Sequence, residues 1–266
     1  MNLARTRSAV PSLRVLDEAG STNDTLADLV REGDEPHMST LVTMNQTSGR
    51  GRLGRSWTAP AGKSLAASVL LRPLLRTGKP LAPQALGWLP LIAGAAMSSS
   101  VDALIGGGRT GLKWPNDVQV DGLKVCGVLA ELVPGSAVIV GTGVNLALDR
   151  DELPVSTATS LTLAGVDGTV DELADLILSR YLLRLDELLV RFLDADADAG
   201  ASGIHRVTSE WCRTLGRQVR VSLPGGDDLF GVATGIDATG CLLVRSELTG
   251  ETRTVAAGDV THLRYE

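Results

Sequence analysis

The stretch from Gly111 to Leu148 constrains the fold more than any other part of the sequence. It consists of three apolar segments, GLKWPNDVQV, LKVCGVLAELV and SAVIVGTGVNLAL, separated only by the dipeptides Asp121-Gly122 and Pro134-Gly135. Asp-Gly between such segments is a strong hairpin signal, and so short a connection joins antiparallel neighbours. The sequence therefore predicts three strands in succession, each joined to the next by a tight turn.

The regions around this block predict further strands and three helices. LRVL, STLVTMNQ and KSLAASVLLRP each indicate a strand, and the last is ended by Pro73. A helix follows the first strand, and Ser21 or Thr22 is placed to cap it. Its predicted apolar face is Leu26, Leu29 and Val30. PQALGWLPLIAGAAMSSSVDALI predicts a largely buried helix ended by the glycines at 106–108, and TVDELADLILSRYLLRLDELLVRFL predicts an amphipathic one.

The pattern changes from about Gly216 to the end of the chain. Short segments of alternating apolar and polar residues follow one another with glycine turns between them: RQVRVSLPGG, LFGVATGIDATG, CLLVRS and TRTVAAGDV. Strands of this length and spacing are typical of a small β-barrel. The sequence therefore predicts an α+β fold that ends in an all-β tail.

Composition excludes several classes of function. The formal net charge of −6 argues against a general nucleic-acid or membrane-surface binder. Cys126, Cys212 and Cys241 are scattered, and neither they nor the three histidines have metal-ligand spacing. The N-terminal residues contain no continuous apolar stretch of the kind found in signal peptides, and Asp102 with a serine run interrupts the most apolar segment. A cytoplasmic protein is expected.

The segment GRGRLGRSW, the glycine–arginine loop (Gly49–Trp57), contains G-x-G-x-x-G, a phosphate-binding pattern of dinucleotide enzymes. Such a pattern should open a helix and precede an acidic residue by about 20 positions. Proline and glycine follow here instead, and no Asp or Glu occurs between Arg55 and Val101. The later AGKS is not a Walker A loop, because Trp57 stands where its first glycine should be.

A glycine loop that presents three arginines then remains to be explained. Guanidinium groups bind phosphate or carboxylate in bidentate fashion, so the loop suits a polyanionic ligand; a solvated basic turn is the alternative. Because the loop has few apolar anchors, it is expected to be mobile without a ligand and to close when one binds.

Four motifs taken in order, GRGRLGRSW, KWPNDV, LKVCGVLAE and GTGVNL, resemble those of the biotin protein ligases. GSTND at 20–24 is similar to the SxN element of that family, and Gln46 precedes the loop as the family's glutamine does. The resemblance implies a biotin/lipoyl ligase-like catalytic domain, a mixed sheet flanked by helices, over residues 13–212. It also implies an SH3-like domain over 213–266. Only about a dozen residues precede the first strand, so a monofunctional ligase without the winged-helix DNA-binding domain is expected.

The resemblance also implies a two-step reaction. The biotin carboxylate attacks the α-phosphate of ATP with Mg²⁺ present, which gives biotinyl-5′-AMP and pyrophosphate. A lysine on the biotin carboxyl carrier domain of an acyl-CoA carboxylase then takes the biotinyl group. No nucleic-acid or membrane partner is implied.

Site residues follow position by position from the same resemblance, which makes Lys124 and Arg52 the catalytic candidates. The implied biotin-binding residues are Ser21, Thr22, Asn23, Gln46, Gly49, Arg50, Gly51, Arg52, Lys124, Gly127 and Gly141. The implied ATP or adenylate-binding residues are Arg52, Arg55, Trp57, Lys113, Asn116 and Asn145, with Asp117 as metal ligand. A flat ligand lying on the sheet would explain glycine at 127, 141 and 143. Leu53 departs from the family, where this loop position is often basic.

Other interpretations stay open for the protein and for single residues. A lipoate ligase or octanoyltransferase would have a related fold, and a non-catalytic biotin-sensing module would need no reacting groups. Lys113 could form a structural salt bridge and Asp117 could be a turn residue. Trp57 could belong to the core, and Cys126 is expected to be a buried strand cysteine.

Overall fold

A seven-stranded mixed sheet forms the centre of the larger domain in the computed structural model, which describes residues 1–223 and 226–263. Its strands are β1 (Leu13–Leu16), β2 (Thr40–Thr43), β5 (Ser64–Leu71), β6 (Thr110–Lys113), β7 (Asp117–Val120), β8 (Leu123–Val133) and β9 (Ala137–Asn145). Their order across the sheet is β1-β2-β5-β9-β8-β7-β6. β1 and β2 are parallel and the other pairs are antiparallel, so the predicted mixed sheet is confirmed.

The predicted block of strands is present, with one correction. Asp121 and Gly122 both have positive φ, 51° and 79°, as a two-residue hairpin of the favoured twist requires. GLKWPNDVQV, however, was expected to be one strand and is two, because β6 and β7 pair with each other. Pro115 has no N–H to donate within a ladder, and the Asn116 N–H closes the turn on the Lys113 carbonyl at 3.1 Å.

Helices pack on both faces of the sheet. They are α1 (Ala4–Ala9), α2 (Thr22–Glu32), α3 (Trp88–Ile105), α4 (Val170–Asp194) and α5 (Ile204–Trp211). α2 packs on the face that carries Leu41, Leu70 and Ile139, whereas α3 and α4 cover the opposite face. Ser21 caps α2 by accepting the Asp24 N–H, so of the two candidates Ser21 is the cap.

The serine run and Asp102 lie within α3, as the predicted helix requires, and they interrupt only its apolar character. The Ser100 hydroxyl satisfies itself on the Ala96 carbonyl at 2.8 Å, so the helix continues to Gly106, whose φ is 71°. Residues 83–105 have the length and mean hydropathy (1.4) of a membrane-spanning helix, but 67% of this stretch is buried inside the protein.

Two short helices have no counterpart among the predicted elements. α1 is only six residues long and is held by Asp175 of α4, whose carboxylate accepts the backbone N–H groups of Arg5 and Thr6 at 3.1 and 2.8 Å. Burial works to raise the pKa of Asp175, but these hydrogen bonds bring it below its usual value. A helix fixed by one distant carboxylate leaves no periodic signal in its own sequence.

The tail is a five-stranded antiparallel sheet, as expected for a small barrel. It contains β10 (Gln218–Ser222), β11 (Asp228–Ile236), β12 (Leu242–Ser246), β13 (Thr252–Val255) and β14 (Asp259–His262), in the order β13-β12-β11-β10-β14. TRTVAAGDV supplies two of these strands rather than one. The turn expected at Pro224-Gly225 lies outside the described residues.

The turn at residues 236–240 fixes the tail to the larger domain. Three ring nitrogens bond its carbonyl groups: Trp88 to Ala238 at 2.9 Å, Trp114 to Gly240 at 3.1 Å and His205 to Ile236 at 2.7 Å. Both tryptophans are buried, and a buried indole N–H requires an acceptor. The tail is therefore held in a defined orientation, which brings the loop before β14 to the larger domain.

Candidate active site

A cavity of about 840 Å³ opens on the α2 side of the sheet, beneath two short strands, β3 (Gly49–Arg50) and β4 (Ser56–Trp57). Fourteen sequence-predicted residues line it: Ser21, Thr22, Asn23, Gln46, Arg50, Gly51, Arg52, Arg55, Trp57, Asn116, Asp117, Lys124, Gly127 and Gly141. The structure adds residues that were not among the predicted site residues, including Val128, Leu129, Thr142 and Asp259.

Strand register assembles the floor of the cavity. Side chains alternate along a strand, so residues 127, 129 and 131 of β8 share a face with 139, 141 and 143 of β9. Gly127 lies opposite Gly143, Leu129 opposite Gly141, and Ser68 of β5 on the other side of Gly141. The two glycine levels are about 7 Å apart along the strands, which gives the cavity two ends.

At the Gly141 end, buried and half-buried polar side chains form a hydrogen-bonded row, here called the recognition row (Gln46, Thr22, Ser68, Asn23 and Glu131). Thr22 donates its backbone N–H and its hydroxyl to Gln46 Oε1, at 2.9 and 3.1 Å. Ser68 Oγ lies 2.8 Å from Thr22 Oγ1 and 2.6 Å from Asn23 Oδ1, and Asn23 Nδ2 donates to Glu131 at 2.6 Å. Ser68 and Glu131 were not predicted, because neither has a recognisable spacing from the other three.

Two glycines of the floor have an explanation within the protein itself. A Cβ on Gly143 would lie 2.4 Å from Cε2 of Trp57, and a Cβ on Gly141 would lie 2.4 Å from Asn23 Oδ1. Side chains of the protein itself are therefore sufficient to require glycine at these two positions, and the flat ligand stays a prediction. The consequence for Trp57 is that one face of its indole packs on the sheet while the ring still lines the cavity.

Lys124 and Asp117 form the charged centre of the opposite end. Lys124 Nζ lies 2.7 Å from Asp117 Oδ1 and 5.7 Å from the centroid of the Trp57 ring. Both charged side chains are partly buried, so their attraction is screened less than that of a surface pair. Cys126 is fully buried and burial raises its pKa, which makes it an unreactive core residue as expected.

The glycine–arginine loop forms a hairpin in which every arginine has a protein partner. Arg50 pairs with Asp24 of α2 and, at 2.9 Å, with Glu131 of β8. Arg52 donates to Asn116 Oδ1 at 3.2 Å, and burial lowers the pKa of its guanidinium, although Asp117 and Asp259 oppose this. The three guanidinium groups are thus not simply presented to solvent, which the interpretation as a solvated basic turn would require.

Arg55 connects the loop to the tail. Its guanidinium lies 2.6 Å from Asp259 Oδ2, and Arg52 approaches the carbonyl of the neighbouring Gly258 at 3.5 Å. Burial works to raise the pKa of Asp259, but the Arg55 hydrogen bond and the nearby cations bring it below its usual value. Because these partners are 204 positions apart in the chain, no sequence motif could have indicated the pair.

Three predicted residues lie outside the cavity lining. Gly49 is enclosed by Gln46 and the Trp57 backbone, so that a Cβ would lie 2.4 Å from each. Asn145 is buried and donates to the Thr159 carbonyl at 2.9 Å. Lys113 lies opposite Asp117 in the β6–β7 hairpin, and its charge helps to lower the pKa of Asp259. Over residues 1–223 and 226–263, no three His, Cys, Asp or Glu side chains are grouped to hold a metal ion.

Comparisons with known proteins give one consistent result. Residues 16–145 match the biotin/lipoate A/B protein ligase family, and residues 214–263 match the biotin protein ligase C-terminal domain. The chain is 39% identical to the biotin–[acetyl-CoA-carboxylase] ligase of Mycobacterium tuberculosis, over 95% of this chain and 89% of that protein. It is 30% identical to the bifunctional ligase/repressor BirA of Escherichia coli, over 89% of this chain and 70% of BirA. The biotin protein ligase from Aquifex aeolicus, solved in complex with biotin and ATP, aligns with a TM-score of 0.73 and 30% identity, covering 96% of this chain and 100% of the other.

Proposed function

The chain belongs to the biotin protein ligase family, and we propose that its cavity carries out both steps of that family's reaction. Biotin is activated with ATP to biotinyl-5′-AMP and pyrophosphate. The biotinyl group then passes to a lysine on the biotin carboxyl carrier domain of an acyl-CoA carboxylase. The observation that carries the proposal is the single cavity lined both by a polar recognition row and by Lys124, Arg52, Arg55 and Trp57.

The Gly141 end suits the fused rings of biotin. A cyclic urea offers N–H donors and one carbonyl acceptor, and such neutral groups are recognised by hydrogen bonds within an otherwise apolar cavity. Ser21, Thr22, Asn23 and Gln46 are buried or partly buried there. Hydrogen bonds orient their side chains: Thr22 bonds Gln46, Asn23 bonds Glu131, and Ser21 accepts the Asp24 N–H. A linear acyl chain has no polar groups to hydrogen-bond with this row, so lipoate or octanoate is the poorer fit.

The Lys124 end suits the reacting groups. When the biotin carboxylate oxygen attacks the α-phosphorus, the bond from that phosphorus to the bridging oxygen breaks and pyrophosphate leaves. The approaching anions repel each other, so fixed cations are needed where the charge develops. Lys124 and Arg52 supply them, and the cavity-lining ring of Trp57 offers a stacking surface for adenine.

Asp117 fits a role in binding Mg²⁺ that arrives with ATP. Mg²⁺ on a nucleotide is typically held by one or two carboxylates together with phosphate oxygens, and Asp117 is a cavity-lining carboxylate with Asn116 Oδ1 beside it. The ion would neutralise phosphate charge there. Asp117 would then exchange its Lys124 partner for the ion, which frees the lysine ammonium for the reacting carboxylate.

The partner and the location of the protein complete the proposal. The relatives named biotin–[acetyl-CoA-carboxylase] ligase support a carboxylase carrier domain as acceptor. We infer a cytoplasmic enzyme with no nucleic-acid or membrane partner, in keeping with the net charge of −6.

Biotin-dependent exchange of labelled pyrophosphate into ATP tests the first step directly. We expect exchange with biotin and none with lipoate or octanoate. Addition of a purified carrier domain should then give one biotinyl-lysine per domain. Exchange driven by lipoate rather than biotin would overturn the substrate, and binding of biotin without any exchange would favour the non-catalytic module.

A further inference from the structure

Arg50 is the one arginine of the glycine–arginine loop whose charged partners all belong to the catalytic domain. Its guanidinium pairs with Asp24 in the first turn of α2 and with both carboxylate oxygens of Glu131. We call these three residues the Arg50 ion-pair cluster. The cluster connects the loop to β8, because Glu131 belongs to that strand and the loop runs above it.

Glu131 has a second bond that leads into the cavity. Asn23 Nδ2 donates to Glu131 Oε2 at 2.6 Å, and the same carboxylate oxygen accepts from Arg50 at 2.9 Å. One carboxylate therefore holds both the recognition row and the loop. Glu131 shares the cavity face of β8 with Gly127 and Leu129 because all three are two residues apart.

The recognition row has one hydrogen-bond donor too few for its oxygen–oxygen contacts. Gln46 Oε1 and Asn23 Oδ1 can only accept, and Thr22 gives its hydroxyl proton to Gln46. Ser68 has a single proton for two oxygens, Thr22 Oγ1 and Asn23 Oδ1. A ligand N–H donated to either oxygen would supply the missing donor and fix the Asn23 amide.

We propose that Glu131 is a positioning residue of the ligase reaction, which together with Asp24 closes the glycine–arginine loop through Arg50 and couples closure to occupancy of the recognition row through Asn23. The coupling rests on the proposed function, because it takes a cyclic urea as the ligand. Closure itself rests only on the ion-pair geometry. A closed loop keeps water and foreign amines away from the mixed anhydride.

Two substitutions of Glu131 separate its two bonds. Glu131→Gln keeps an acceptor for Asn23 but removes the charge that attracts Arg50, whereas Glu131→Ala removes both. In an Asp24→Asn background, which removes the carboxylate that would repel a reversed charge at position 50, the double variant Arg50→Glu with Glu131→Arg restores opposite charges in reversed order. Glu210→Gln is the matched control, because Glu210 lies 2.7 Å from Arg206 in an exposed pair on α5 outside the cavity.

Amide hydrogen exchange across residues 49–57 of the ligand-free protein measures closure without reference to any reaction. We expect about fivefold faster exchange in Glu131→Gln, the scale of a partly exposed charge network. The control should match the parent and the charge-reversed double variant should recover protection. Raised salt should speed exchange in the parent more than in Glu131→Gln.

Release of preformed biotinyl-5′-AMP, chased with unlabelled biotin, measures the coupling. Escape should be about fivefold faster in Glu131→Gln and faster again in Glu131→Ala. Loop exchange within twofold of the parent in Glu131→Gln would overturn closure by Glu131. Altered loop exchange with equal escape rates in all variants would overturn the coupling. Absence of biotin-dependent exchange in the parent would instead refute the proposed function and leave the closure result standing.

Discussion

Gly143→Ala should weaken ATP binding by moving the Trp57 ring. The added Cβ would lie 2.4, 2.7 and 2.9 Å from three indole carbons, whereas carbon atoms pack at about 3.5–4.0 Å. The ring must therefore move by about 1 Å or tilt, since Trp57 is fixed to Gly49 through the β3–β4 pairing. Base–aromatic stacking contributes about 1–3 kcal/mol. Displacement of the Trp57 ring should therefore weaken ATP binding by about 1–2 kcal/mol, or roughly 5–30-fold in affinity.

Calorimetry with a non-hydrolysable ATP analogue measures this effect, and titration with biotin gives the comparison. Biotin affinity should change by less than about threefold, because the recognition row lies at the other glycine level. Gly235→Ala is the control, since a Cβ there would meet only Leu243 Cδ1 at an ordinary 3.7 Å. A folded Gly143→Ala protein with unchanged ATP affinity would refute the stacking role of Trp57, and equal losses for both ligands would indicate that Trp57 is a core residue.

Three further predictions concern charged residues of the cavity. Lys124→Ala should abolish pyrophosphate exchange with the fold intact, because it removes the cation nearest the reacting groups; exchange within tenfold of the parent would disprove the assignment. Arg52→Gly adds flexibility and removes the bond to Asn116, so it should release biotinyl-AMP and label serum albumin that the parent ignores; absence of such labelling would count against loop shielding. The lowered pKa of Asp259 means that its contribution to stability is present above the unfolded value of 3.8 and is lost as pH falls through the folded value. Unfolding measured from about pH 6 to pH 3 should therefore show a smaller acid-induced loss in Asp259→Asn, and parallel curves would refute the Arg55 pairing as its cause.

Much of the fold could be predicted because its signals are local. The Asp121-Gly122 turn, the cap at Ser21 and the end of α3 at Gly106 each depend on a few neighbouring residues and were predicted correctly. The split of GLKWPNDVQV at Pro115 was missed. Apolar residues on both sides of the proline suggested one continuous strand, although proline has no N–H to donate within a sheet.

The motifs also indicated which residues would share the cavity, since fourteen of the predicted side chains line it. Their partners could not be predicted. Glycine at 143 is required by the Trp57 ring that packs on it, and the sequence alone could assign that space equally well to a ligand.

Charge pairing marks the boundary between what the sequence determined and what only the tertiary structure decided. The sequence determined that three arginines lie on one glycine loop, because that is a matter of adjacent positions. Only the fold decided that Arg50 meets Glu131 and that Arg55 meets Asp259, which lie 81 and 204 positions away. The first contact depends on the strand register and the second on three ring N–H groups that orient the tail. A charge interacts strongly only with groups within a few ångströms of it. Residues far apart in the chain come that close only after folding.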